Sequence, residues 1–146
     1  AGGDVEAGLA IAELIAGMDK PTVSLVLGGG HSIGVPLAVA AKKCFIAPTA
    51  SMTLHPVRMN GQVQGVPQIA AYSQRIQESI VDFITANSRI SPQKLRELML
   101  RDGQLLGEAG SVVYGREAGT LGLCDSLGSL REALSCLHQM IGEARA

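Results

Sequence analysis

The stretch that most constrains this chain is "TVSLVLGGGHSIGVPLAVAAKK", residues 22–43. A β-branched apolar run leads into three consecutive glycines, shows one serine, and re-enters an apolar run of small residues. The first run reads as a short buried strand. The second suits a helix packed closely on its neighbours, with Pro36 tolerable only near the first turn. Alternation of strand and helix continues along the chain. Residues 4–17 carry Val5, Leu9, Ala12 and Ile15 at helical spacing, with Asp4 as cap and Gly17 as stop. "CFIAP" and "SMTLHP" predict two more strands, and "MNGQVQGVP" a loop. Residues 67–87 predict the longest helix, with Ile69, Tyr72, Ile76, Ile80 and Phe83 on one face. A helix from Pro92 to about Leu100 comes next, capped by Ser91. Then come a loop, "RDGQLLGEAG"; a strand, "SVVYG"; a helical turn, "REAGTLGL"; and a last helix over 127–141. The class is α/β, and 146 residues fit one domain, 1–146.

Three readings compete for the glycine loop. A dinucleotide fingerprint needs GxGxxG, but Ile33 stands where the third glycine belongs. A Walker-type loop needs GK[ST], but Gly34 is followed by Val35. Gly30-His31-Ser32-Ile33-Gly34 does fit G-x-S-x-G, a nucleophile mounted between strand and helix. The backbone N–H groups at a helix start can also stabilise an oxyanion. A bland alternative stands beside it, in which Ser32 only caps the helix.

A nucleophilic serine needs a base. His31 is adjacent in sequence and would point away from Ser32, His55 ends a strand-like segment, and His138 lies in the last helix as a surface residue. The α/β-hydrolase order Ser32, Asp125, His138 is available, but the chain lacks the further strand–helix units that fold requires.

Hydrophobic residues make up 47% of the chain and charged residues 17%. No apolar run is long enough to span a membrane, so the excess apolar surface points to a partner subunit. The helix over 67–87 has too little neighbouring chain to cover its stripe and is expected to pack on another copy. A net charge of −1, two Phe, two Tyr and no Trp give nucleic-acid binding no support. Cys44, Cys124 and Cys136 read as buried thiols in a reducing, cytoplasmic setting, not as a disulfide framework or metal site. Neither metal nor cofactor is expected. The opening "AGGDVEAGL" suggests a fragment or processed chain.

Several segments together resemble the proteolytic subunit of Clp protease. "GGDVEAGLAI" resembles that family's Gly-Gly turn and following helix. "KPTVSLVLGGGHSIG" resembles its serine segment, with Gly-His in place of Ala-Ala. "APTASMTLHP" resembles its histidine segment, "GQVQGVPQIAAYSQRI" the start of its long handle helix, and "YGREAGTLGLCD" its closing segment. "LVLGGGHSIG" with "TLHP" fits one Clp-like branch more closely than the protease subunits at large. The resemblance implies a ClpP/crotonase-like fold whose N-terminal strands are absent from this chain. It also implies Ser32 as nucleophile, His55 as general base, and the N–H groups of Gly3 and Ile33 as oxyanion hole. Homo-oligomeric rings, peptide or unfolded-protein substrates and an ATP-dependent unfoldase are further implications.

The departure is the acid. Counting back from Asp125, a structural turn residue, the family's Asp position falls on Gly110. Asp102 matches a non-catalytic Arg-Asp pair, and Glu108 is the nearest carboxylate. The expectation is a Clp-like serine endopeptidase with a Ser32–His55 dyad, weak activity, and Glu108 as candidate acid. A non-catalytic assembly or regulatory subunit of the same fold is the first alternative, and a crotonase-like acyl-CoA enzyme the lower one.

Overall fold

A computed structural model describes residues 2–58, 66–102 and 109–145. Six helices and six strands run in the order α1 (Val5–Ala16), β1 (Val23–Val26), β2 (Gly29–His31), α2 (Gly34–Val39), β3 (Lys43–Ile46), β4 (Ser51–Leu54), α3 (Val66–Ala86), α4 (Pro92–Leu100), β5 (Ser111–Tyr114), α5 (Gly115–Leu121), β6 (Ser126–Leu127) and α6 (Leu130–Arg145). This is the mixed α/β architecture of strand–helix units that the alternation predicts.

The glycine stretch departs from that reading. Gly29–His31 is itself a strand, so the chain from Val23 to His31 crosses from one sheet to another with only Leu27 and Gly28 between. β1 pairs in parallel with β3, and β3 with β6. β2 pairs in parallel with β4, which pairs antiparallel with β5. The segment β3–β4 repeats the crossing. Gly30 sits at close quarters: an added Cβ would lie 3.4 Å from Val26 Cγ1 and 3.5 Å from Met52 Cγ.

The helix after Ser32 stops at Val39, short of the expected Lys43, and Lys43 opens β3. Pro36 falls in its first turn, where a missing N–H costs nothing. At the C-terminal end Leu127 belongs to a two-residue strand, and the last helix starts at Leu130 behind a Ser129–Glu132 cap. Asp4 and Ser91 cap as their positions imply, accepting from the N–H groups of Ala7 at 2.9 Å and Lys94 at 3.1 Å.

The core lies between the sheets and α2, α3 and α4, around Ile46, Met52, Ile84, Leu95, Leu98 and Leu123, all fully buried. The expected stripe on α3 divides in two. Ile80 and Phe83, in its C-terminal half, are buried in this chain's own core, while Tyr72 is 46% exposed. The covering partner expected for Ile80 is therefore this same chain. Among the described residues, the N-terminal half of α3 is left more exposed. Among the described residues, no helix is long and apolar enough to cross a membrane.

Candidate functional site

Strand register brings the serine and histidine segments together. Gly29, Gly30 and His31 pair with Ser51, Met52 and Thr53. One step on, the Ser32 N–H donates to the Thr53 carbonyl at 2.9 Å. Ser32 thus leaves the end of β2 where His55 leaves the end of β4. Strand alternation does the rest. Met52 and Leu54 point into the core, which sets Thr53 and His55 on the opposite, half-buried face.

Ser32 has φ 56, the one positive φ among described residues other than glycine. A side chain in this region is uncommon and is held there by surrounding packing. That packing is visible. Ile33 is buried under α1, where a Cβ on Gly8 would collide with Ile33 Cγ1. The Gly2–Gly3 turn lies over the same spot: a Cβ on Gly2 would come 3.4 Å from Ser32 Cβ. Ser32 is not a helix cap, since no side chain caps α2. The elbow reading of its backbone is the better one.

A cleft of about 170 Å³ opens here, lined by Gly3, Ser32, Ile33, Thr53, His55 and Arg58 and floored by apolar side chains. Four of the residues expected at the site therefore share one cleft. Pockets that bury a small-molecule ligand start near ~300 Å³, so this one has room for a side chain or a short turn of peptide. Thr53 and Arg58 went unread in the sequence. The signal for Thr53 was its position two residues before His55 on a strand. Arg58 lies beyond the strand, where no periodicity applies.

The chemistry is incomplete. His55 Nδ1 lies 2.7 Å from the Pro56 carbonyl oxygen. A carbonyl only accepts, so Nδ1 carries the proton and donates. In a working triad a carboxylate sits there and stabilises the imidazolium. Here a neutral carbonyl takes its place. No hydrogen bond joins Ser32 to His55 among the described residues. Gly110 has φ 140, a region nearly closed to residues with a Cβ. An aspartate at Gly110, the position where the sequence count expects the family's acid, could not adopt this backbone without strain. Glu108, the substitute expected from the sequence, lies outside the described residues. Asp125 is committed elsewhere: it accepts from the Cys44 N–H and pairs with Arg89, each at 2.8 Å. His138 is exposed on α6, and His31 bonds Thr53 at 2.7 Å.

The chain is 56% identical over 140 residues to a translocation-enhancing protein, TepA, of Halalkalibacterium halodurans. The alignment covers 96% of this chain and 55% of that protein, so the chain spans about half the length of its relative. This is the branch to which "LVLGGGHSIG" and "TLHP" point. Its name records translocation and not proteolysis. Together with the missing acid, this overturns the expectation of an active serine endopeptidase. Among the described residues, no carboxylate bonds His55 to make the Ser32–His55 pair one. The family stands on firmer ground than the activity: the sequence profile of the Clp protease family matches residues 1–129, and the chain belongs to that family.

Proposed function

We propose that this chain is a Clp-fold assembly or regulatory subunit without peptidase chemistry. The observation that carries the reading is the state of the acid position: Gly110 at φ 140, and a backbone carbonyl where a carboxylate would orient His55. In this reading Ser32, His55, Gly3 and Ile33 form a shallow notch that seats a side chain or short turn of a peptide without cleaving it. The N–H groups of Gly3 and Ile33 serve as donors to a peptide carbonyl. The relative's name supports a role in translocation.

The N-terminal half of α3 supports assembly into a homo-oligomer. Tyr72 is exposed there, its hydroxyl donating to Glu6 of α1 at 2.5 Å. The full-length protein is expected to sediment as a species much larger than a monomer. Tyr72→Lys keeps an ionic tie to Glu6 but places a charge on the face, and is expected to dissociate the assembly while the protomer stays folded. Ile80→Asp is expected to unfold the protomer, because a buried unpaired charge costs several kcal/mol or more. The same preparation should turn over no peptide and take no label from a serine-directed phosphonate. Labelling at Ser32 with peptide turnover overturns the non-catalytic reading; a stable monomer at high concentration overturns the assembly.

A further inference from the structure

The second concentration of reactive groups lies at the far sheet and has no part in the cleft. Cys44 in β3 and Cys124, in the turn between α5 and β6, are 80 residues apart in sequence, yet their sulfurs approach to 2.8 Å. A bonded pair stands at ~2.05 Å. Both residues are buried, at 3% and 1% exposure, and both are free thiols. The surroundings hold them in place. Asp125 receives the Cys44 N–H through Oδ2 and the Arg89 guanidinium through Oδ1. The Asp125 N–H donates to the Cys44 carbonyl at 2.8 Å. The turn bearing Cys124 is thereby stitched to the strand bearing Cys44 by two hydrogen bonds.

We propose that Cys44 and Cys124 form a reversible oxidative modification site, in which a peroxide converts the two thiols into an intramolecular disulfide tying β3 to the turn after α5. The Cys44 thiolate attacks a peroxide oxygen, the O–O bond breaks, and hydroxide leaves to be protonated to water. The product is a sulfenic acid on Cys44. The Cys124 sulfur then attacks the Cys44 sulfur, the S–O bond breaks, the Cys124 proton is lost and a second water departs. Two thiols and one hydrogen peroxide give one disulfide and two waters. The two sulfurs supply the two electrons that the peroxide takes up.

Geometry makes this outcome differ from ordinary oxidation of a buried cysteine. Structural cysteines in apolar surroundings are inert because their thiolate is disfavoured. At Cys44 the neighbouring Cys124 thiol, and to a lesser degree the Ser24 hydroxyl, pull the acidity in the opposite direction, against burial and the Asp125 carboxylate. Cys124 is pushed up by that same contact and by burial. Cys44 is thus the attacking sulfur and Cys124 the resolving one. A resolving thiol in contact stops the ladder at the disulfide, before irreversible sulfinic acid. Cys136 supplies the internal control. It is half-buried on α6 with its sulfur 3.9 Å from that of Met140, a thioether, which cannot resolve a sulfenic acid as a thiol does. The inference is independent of what the cleft does.

The test uses the full-length protein, folded and reduced, exposed to hydrogen peroxide, then alkylated and mapped by mass spectrometry. The expected product has lost two hydrogens, carries a Cys44–Cys124 cross-linked peptide, and returns to the starting mass with dithiothreitol. Its thermal midpoint should rise by about 10 °C, the order expected for closing so long a loop. Cys124→Ala should leave a dimedone-reactive sulfenic acid at Cys44, and Cys44→Ala should leave none at Cys124. Wild-type protein that keeps both thiols alkylatable after denaturation overturns the proposal. Oxygen added at either sulfur without the cross-link, or a disulfide that joins two chains, does the same. The wild-type mass decides even if a variant fails to fold.

Discussion

Two glycines with positive φ flank the β5–α5 unit, and the groups they bring to their surroundings differ. Gly122, at φ 81, ends α5 and returns its N–H to Gly119 and its carbonyl to the Arg89 N–H. Three residues on, Asp125 fills both of its carboxylate oxygens with donors from β3 and Arg89. Gly110, at φ 140, enters β5 with its N–H on the Arg101 carbonyl at 2.8 Å, and contributes no side chain. The sequence count puts the family's acid there. One turn is saturated and secures the structure; the other holds the chain's course and leaves the cleft beside it one group short. Within one fold, one carboxylate secures a strand, and the position at which the sequence count expects a second carries none.

That contrast can be broken by experiment. The largest effect should come from Gly122→Ala. An added Cβ would lie 2.9 Å from the Arg89 backbone carbon at a positive φ, and the expected loss is about 3 kcal/mol in a denaturant titration. Asp125→Ala should come second at about 2 kcal/mol, because it orphans the buried Cys44 N–H and removes the Arg89 partner. Gly110→Asp should cost about 1–2 kcal/mol through backbone strain, and peptide turnover should stay at the background of the wild type. A gain of turnover there would show that the acid position is open after all. His55→Ala should be smallest, within ~0.5 kcal/mol, since it loses one hydrogen bond at a half-buried rim. If His55→Ala proves as costly as Asp125→Ala, the cleft is a structural joint and not a spare binding notch.

Much of the fold could be read directly. The β-branched run at Val23–Val26, the Asp4 and Ser91 caps and the proline at the start of α4 are local signals, and local physics decides them. The ordered motif segments also carried the Ser32–His55 neighbourhood, because parallel strands in register deliver their ends to one place. What could not be read was non-local. Three glycines in a row carry no periodicity, so nothing in them told that Gly29–His31 would leave one sheet for another. The stripe on α3 looked uniform from Ile69 to Phe83, although only tertiary packing decides which half this chain covers. The φ of Gly110 is a tertiary outcome as well. Glu108, offered as a substitute acid, falls outside the described residues.

The split of successive strands between two sheets also has a consequence in time. β1 and β3 can pair as soon as the first 46 residues exist, but β6 joins β3 through Phe45–Ser126 and Ile46–Leu127. The hydrogen bond from Cys44 to Asp125 spans 81 residues. Parallel pairing across such a separation loses loop-closure entropy before any contact offsets it, which places folding toward the slow, millisecond-to-second range. A chain growing from its N-terminus must carry β3 with one edge unpaired until residue 127 has emerged. An open apolar strand edge is a template for other chains, so synthesis of this protein should be more prone to aggregation in that interval than after β6 has docked.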